Sequence, residues 1–359
     1  MPPPDPAAAA GGALPPLQPP GLKHVTVLRV GGGAAAAAYS SPNPTTTATT
    51  TNSPVASAAA AAAALAAVSA PEGSVALLLV AKEPVNSMDT QLWRELHAAL
   101  RACERDSAVK ALIIASSLAK RDVFTAGNDL KELYAPLTSA SRYGDFWDAQ
   151  SSFLCDLLVS PLATAAAIRG ACPAGGCCLA LCCDRRVIVG SGGGGNGGNG
   201  PAPTLGLNEV ALGIPVPKFW ARLMALRCGD RAAERLCLGG EQVGPEEALR
   251  IGLVDEVVAA AGGGNGGEPP PPAAVAVVAR AAQWASRQAR LPREARHATK
   301  LAFRGQFEQA WRAYALTEEA AFGWGAISAP QTVARMRGVL ERLGGGGGGK
   351  GPSAARAKL

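Results

Sequence analysis

The sequence predicts an α/β fold with helices gathered toward its C-terminal end. Short runs of β-type apolar residues alternate with longer amphipathic stretches, which is the pattern of strands and helices in layers. The run IRGACPAGGCCLALCCD (168–184) sets Gly170, Gly175 and Gly176 between two apolar segments. That spacing predicts a buried strand, a tight turn and a buried helix opening at the glycines. Residues 273–343 hold helical patterns only.

Taken in order, residues 1–21 read as a Pro/Ala leader; with Asp5 and no early Arg they make a poor organelle presequence. VTVLRV (25–30) is a first strand and VALLLV (75–80) a second, and the low-complexity block 31–71 reads as an insertion in the hairpin between them. Residues 84–86 turn the chain into a helix over 88–102. Leu92, Leu96, Ala99 and Leu100 line its inner face, and Arg94, Glu95 and Arg101 face water. VKALIIA (109–115) is a buried strand. FTAGNDLKEL (124–133) reads as a strand end, a glycine turn and a helix start. Residues 146–159 form a helix with Phe153, Leu154, Leu157 and Leu158 inward, and 162–168 the next strand.

After the central helix comes a strand at 186–189, then GSGGGGNGGNG (190–200), a loop insertion with no fixed structure expected. Short helices follow at 232–238 and 245–250, with a strand-like piece at 252–258. A core over 22–261 is followed by a second disordered insertion (262–272). A helical segment over 273–343 has two or three helices carrying Trp284, Phe303, Trp311, Phe322 and Trp324, and a tail over 344–359 completes the chain.

Composition narrows the function classes. The formal charge is +6, with no Lys/Arg stripe interleaved with aromatics, so no nucleic-acid partner is expected. No stretch is a convincing membrane span; residues 56–67 are short and almost pure alanine. Of the nine cysteines, Cys172, Cys177, Cys178, Cys182 and Cys183 crowd the central run in no zinc spacing, and His24, His97 and His297 lie elsewhere in sequence. They read as small apolar side chains in a reducing compartment, and no metal site is expected. Neither GxGxxG after the first strand nor GxxxxGK[ST] occurs, so nucleotide phosphate loops of those kinds are absent.

Three stretches fit one site. FTAGNDL offers a turn whose backbone N–H groups can face a ligand. ACPAGG (171–176) offers N–H groups at a helix start, suited to a carbonyl oxygen that gains charge, although a plain buried strand–turn–helix has the same pattern. In LGLNEVALG (205–213), Glu209 is a lone carboxylate in an apolar run. Desolvation raises such a pKa toward that of a base working at neutral pH; a structural cap or ion pair is the alternative reading.

Together, PVNSMD (84–89), VFTAGNDLKEL (123–133), IRGACPAGGCCLALCCDRRV (168–187), LGLNEVALGI (205–214) and the stretch 232–258 resemble the crotonase (enoyl-CoA hydratase/isomerase) superfamily. Within it they look most like the isomerases that convert 3-enoyl-CoA to 2-enoyl-CoA in the β-oxidation of unsaturated fatty acids. The resemblance implies a ββα spiral core with a C-terminal helical segment, and an acyl-CoA substrate with no cofactor beyond its CoA. It also implies a homotrimer or dimer of trimers using the C-terminal helices.

By the same resemblance, the backbone N–H groups of Asn128 and Gly175 form the oxyanion hole. Ala126, Gly127, Asn128, Asp129 and Leu130 line the acyl-CoA path, Asn208 touches substrate, and Glu209 shuttles the proton from C2 to C4. The superfamily's hydratases carry a second glutamate on the central helix where this chain has Cys178, which favours isomerase over hydratase. A hydratase, another acyl-CoA enzyme such as a thioesterase or decarboxylase, and a non-catalytic binding protein of this fold are the alternatives. Lys300 and Arg304 are candidates for the CoA phosphates. The final Ala357-Lys358-Leu359 is a near match to the S-K-L signal, which gives peroxisome, with its import receptor as partner, as the expected address and mitochondrion as the alternative.

Overall fold

The computed structural model describes residues 17–30, 70–71, 73–118, 121–191, 202–259 and 273–344. Six strands form one sheet in the order β1-β2-β3-β4-β6-β8: Val25–Val30, Val75–Val80, Ala111–Ser116, Ala163–Ile168, Arg185–Val189 and Glu256–Val258. The first two strands pair antiparallel, with Val25 opposite Val80, as the hairpin reading requires. The remaining pairs are parallel. Two short strands, β5 (Cys172–Pro173) and β7 (Leu205–Gly206), pair parallel as a second, smaller sheet.

Side-chain alternation divides β2 between two cores. Ala76, Leu78 and Val80 point into the larger one, packed with the helices α1 (Thr90–Arg105), α3 (Ala140–Val159) and α4 (Gly175–Cys182). Val75, Leu77 and Leu79 point to the opposite face. There α8 (Ala273–Ala289) covers the sheet with Val277, Val278, Ala281, Ala282 and Ala285. β4 presents Ala163, Ala165 and Ala167 to it, and small residues on both sides let helix and sheet approach closely. The 273–343 stretch therefore begins as a wall of the core. It continues through α9 (Arg293–Tyr314), a π-helical turn (Ala315–Glu319), α10 (Ala320–Ser328) and α11 (Pro330–Gly344).

Phe153, Leu154, Leu157 and Leu158 are buried on α3 as the periodicity predicts. The described cysteines are packed in the interior, Cys228 alone being half-buried. Two expectations change. Glu95, assigned to water, is only 5 % exposed. It accepts hydrogen bonds from the Lys23 and His24 backbone N–H groups (3.1 and 2.8 Å), tying α1 to the chain entering β1. A helical wheel has no means of anticipating a carboxylate that serves the backbone of a segment from another part of the chain. The FTAGNDL stretch forms no strand of its own; the strand-type pairings at and just before it are isolated bridges, Val123 with Ala171 and Met88 with Asn128. The insertions expected at 31–71, 190–200 and 262–272 fall almost wholly outside the described residues, as does the tail from 345 onward. No helix among the described residues is long and apolar enough to cross a membrane.

Candidate active site

Loop 123–129 is fixed from behind by residues that carry no chemistry of their own. The Thr125 hydroxyl donates to the Asn86 carbonyl (2.7 Å) and accepts from the Gly127 N–H (3.0 Å). Met88 N–H donates to the Gly127 carbonyl, and Asp129 N–H to the Met88 carbonyl. Asn86, fully buried at φ +53°, holds the turn before α1: its amide N–H₂ reaches Ser116 and the Phe124 carbonyl (3.0 Å each), and its Oδ1 accepts from Lys82 N–H (2.7 Å). Asparagine tolerates that left-handed backbone better than most residues.

Glycines let the central turn press against this loop. A Cβ on Gly170 would lie 1.6 Å from the Asp122 carbonyl oxygen, and one on Gly176 would lie 2.2 Å from Thr125 Cγ2. Phe124 and Thr125 N–H groups both donate to the Ala171 carbonyl across this contact (3.0 and 3.3 Å). The turn itself is strained, since Ala174 sits at φ +50°, ψ −122°, a region that residues with a Cβ rarely occupy. Gly175 then opens α4 with its N–H at the unpaired end of the helix. Among the described residues neither the Asn128 nor the Gly175 N–H donates to another group.

Pairing of β5 with β7 delivers the third component. Cys172 N–H donates to the Thr204 carbonyl and Ala174 N–H to the Gly206 carbonyl (2.8 Å each). Two residues past Gly206 stands Asn208, followed by Glu209 at the start of a 3-10 turn (Glu209–Leu212) closed by the Ile214 N–H on the Glu209 carbonyl. Glu209 is 6 % exposed and neither carboxyl oxygen has a hydrogen-bond partner. Burial without a counter-charge pushes its pKa up to about 7. One turn into α4 from the Gly175 N–H, Cys178 is fully buried, and burial raises its thiol well above the ordinary value, so it is neutral.

These groups border a cavity of about 710 Å³. Ala126, Asn128, Asp129, Leu130, Asn208 and Glu209 all line it, with Pro173 and Ala174 beside the Gly175 amide. Gly127 and Gly175 lie behind that surface and offer backbone only. Sequence reasoning did not identify the opposite wall of Tyr143, Trp147, Trp220 and Glu319, contributed by α3, α5 (Lys218–Cys228) and the π turn. On a helical pattern such aromatics look like ordinary core. It also missed Asn86 and Thr125 as positioning groups; the paired motifs around residues 86 and 125 were the available signal.

Lys300 and Arg304 are not at the cavity. Lys300 Nζ lies 2.9 Å from the Asp184 carboxylate and donates to the Ser160 and Leu162 carbonyls, while Arg304 donates to Asp184 at 2.7 Å. Both are held in a buried cluster and are withdrawn as phosphate ligands. The cations that do line the cavity are Arg121, Lys131, Lys218 and Arg342, all exposed. No cluster of three or more His, Cys, Asp or Glu side chains able to hold a metal occurs among the described residues.

Known proteins resemble the chain in sequence and in fold. The model of the enoyl-CoA hydratase/isomerase family matches residues 71–263. The mitochondrial enoyl-CoA delta isomerase 1 of Mus musculus is 37% identical over 185 residues, 51% of this chain and 59% of the mouse protein. Its Homo sapiens counterpart is 37% identical over 185 residues, covering 51% and 57%. The chain thus matches under two thirds of the length of these relatives. The crystal structure of human mitochondrial delta3-delta2-enoyl-CoA isomerase superposes with a TM-score of 0.65 at 30% identity, covering 77% of this chain and 96% of that one.

Proposed function

The chain belongs to the enoyl-CoA hydratase/isomerase family, and on that premise we propose that it moves the double bond of a 3-enoyl-CoA into conjugation, giving the 2-trans-enoyl-CoA. The observation that carries this reading is Glu209: a buried carboxyl, without partner and with its pKa near 7, in the cavity that Asn128 and Ala174 also line. As carboxylate it takes a proton from C2. The C2–H electron pair then delocalises over C1 to C4, and the thioester oxygen gains charge opposite the two backbone N–H groups. The resulting carboxylic acid returns the proton at C4, and the double bond settles between C2 and C3.

No second acid or base is required, and no cofactor beyond the CoA of the substrate. Adding water would need another group to orient it. A neutral thiol at Cys178 is poorly suited to that role, which supports isomerase over hydratase. Arg121, Lys131, Lys218 and Arg342 supply positive charge for the CoA phosphates. Assembly as a trimer or dimer of trimers is supported by apolar side chains standing in water on the C-terminal helices, Phe303 at 85 % and Leu316 at 71 % exposure.

The curated relatives are named as mitochondrial, whereas the peroxisomal address rests on residues 357–359, outside the described ones. Import of a fluorescent fusion with and without those residues, followed in cells with both organelles marked, decides the address. The reaction is tested by absorbance of the conjugated thioester on adding purified protein to 3-enoyl-CoA without cofactor. Conjugation should appear and persist. Its absence, or rapid loss of the conjugated band to hydration, would sink the isomerase reading.

A further inference from the structure

The aromatic wall of the cavity carries a carboxyl that the proton shuttle does not use. Glu319 ends the π turn Ala315–Glu319, between α9 and α10. An extra residue in a helical turn re-aims the side chains beside it, and such turns are frequent at functional sites. Glu319 is 3 % exposed and lines the cavity. The indole N–H groups of Trp147 and Trp311 and the Ser151 hydroxyl surround its carboxyl. Yet neither Glu319 oxygen, nor any of those three donors, makes a hydrogen bond of acceptable geometry. One turn from Trp147 on α3, both polar atoms of the buried Gln150 amide are also unpartnered. The Tyr143 hydroxyl borders the same region, packed against Gly323.

Of these groups Glu319, Trp147 and Tyr143 line the cavity; an unbranched hydrocarbon chain offers them no hydrogen bond, and buried polar atoms in native proteins are rarely left unsatisfied. A ligand hydroxyl would satisfy them from both sides: its oxygen accepts from an indole N–H while its own hydrogen goes to a Glu319 oxygen. An ammonium group would meet the same N–H and O–H donors head on. We propose that Glu319, with Trp147 and backed by Ser151, forms a polar subsite in the cavity wall that binds acyl chains bearing a hydroxyl. The placement of an acyl chain here rests on the acyl-CoA reading above.

Calorimetry on the full chain tests this with saturated acyl-CoAs, which undergo no isomerisation, one hydroxyl being moved stepwise along an otherwise identical chain. At one position affinity should rise about tenfold over the unsubstituted chain, the size expected of a hydrogen bond to a carboxyl group. That gain should vanish in Glu319→Leu and shrink in Ser151→Ala, with thermal melts reporting that both variants fold. No gain at any position, as expected if a trapped water alone fills the subsite, overturns the proposal, as does a gain that survives both substitutions. Turnover of plain 3-enoyl-CoA is measured separately. Selective binding without turnover refutes only the reaction; turnover without selectivity refutes only the subsite.

Discussion

A Cβ on Gly175 would lie 2.6 Å from the Oδ1 of Asn128, so the helix start packs directly against the side-chain amide of the facing loop. The two backbone N–H groups assigned to the thioester oxygen belong to these same two residues. Gly175→Ala should drive the Asn128 side chain from its place and so disturb the donor on that residue. Loss of one oxyanion donor typically costs about 10²–10³-fold in kcat. A fall of that size with an unchanged far-UV spectrum is expected. Near-normal turnover would mean that the oxyanion is held elsewhere.

Glu209→Gln keeps the shape of the side chain and removes its basicity. Turnover of 3-enoyl-CoA should fall by about 10²–10⁴-fold with acyl-CoA affinity little changed. Stability should move the other way. The folded carboxyl titrates near 7 against an ordinary value of 4.5, so the folded state holds the proton more tightly than the unfolded chain. This contribution is complete below pH 4.5, declines as pH rises toward 7, and is gone above it. At pH 8 the Gln variant should therefore be more stable than the parent, by an amount on the order of 3 kcal/mol. Denaturant melts at pH 4 and pH 8 check both ends.

The same titration governs activity. Removal of the C2 proton needs the carboxylate, so kcat/KM should rise with pH and level off above about 7. A profile flat from pH 5 to pH 9 would remove Glu209 as the base.

Cys178 is fully buried and its thiol stays protonated across that range. Cys178→Ala should leave the pH profile in place and change turnover only a few-fold. A small cavity left in the core costs about 1 kcal/mol, read as a modestly lower Tm. If this variant, rather than Glu209→Gln, is the inactive one, the single-carboxylate shuttle is wrong.

Arg121 and Lys131 stand in water at the cavity. Alanine at either should raise KM several-fold and affect kcat far less, since a phosphate contact is equal in ground and transition states. The KM of the parent should climb with added salt. Lys300→Met, by contrast, should act through stability, because Lys300 neutralises the buried Asp184. Steady-state kinetics with parallel melts separate the two behaviours.

Most elements were legible from local pattern. The apolar run VALLLV, the spacing of Phe153, Leu154, Leu157 and Leu158, and the Gly170, Gly175 and Gly176 breaks each encode structure over a few residues, and the chain folds there as these local patterns demand. The candidate site was legible as three separate stretches, because turn glycines and a carboxylate in an apolar run are local signals. Less of its surroundings was. Glu95 and Glu319 are both acidic residues on helical patterns, and both are buried for reasons that lie on other elements.

By itself the sequence determined the order of strands and helices, the hairpin of β1 with β2, and the residue types available to the site. Only tertiary structure decided that Asn128, Ala174 and Glu209 border one cavity, since each lies on a different segment and the parallel pairing of β5 with β7 brings the last two together. It also decided that Lys300 neutralises Asp184 and that Glu319 enters the cavity wall. Periodicity is a property of neighbours along the chain, whereas desolvation and pairing of a charge depend on what distant segments place around it.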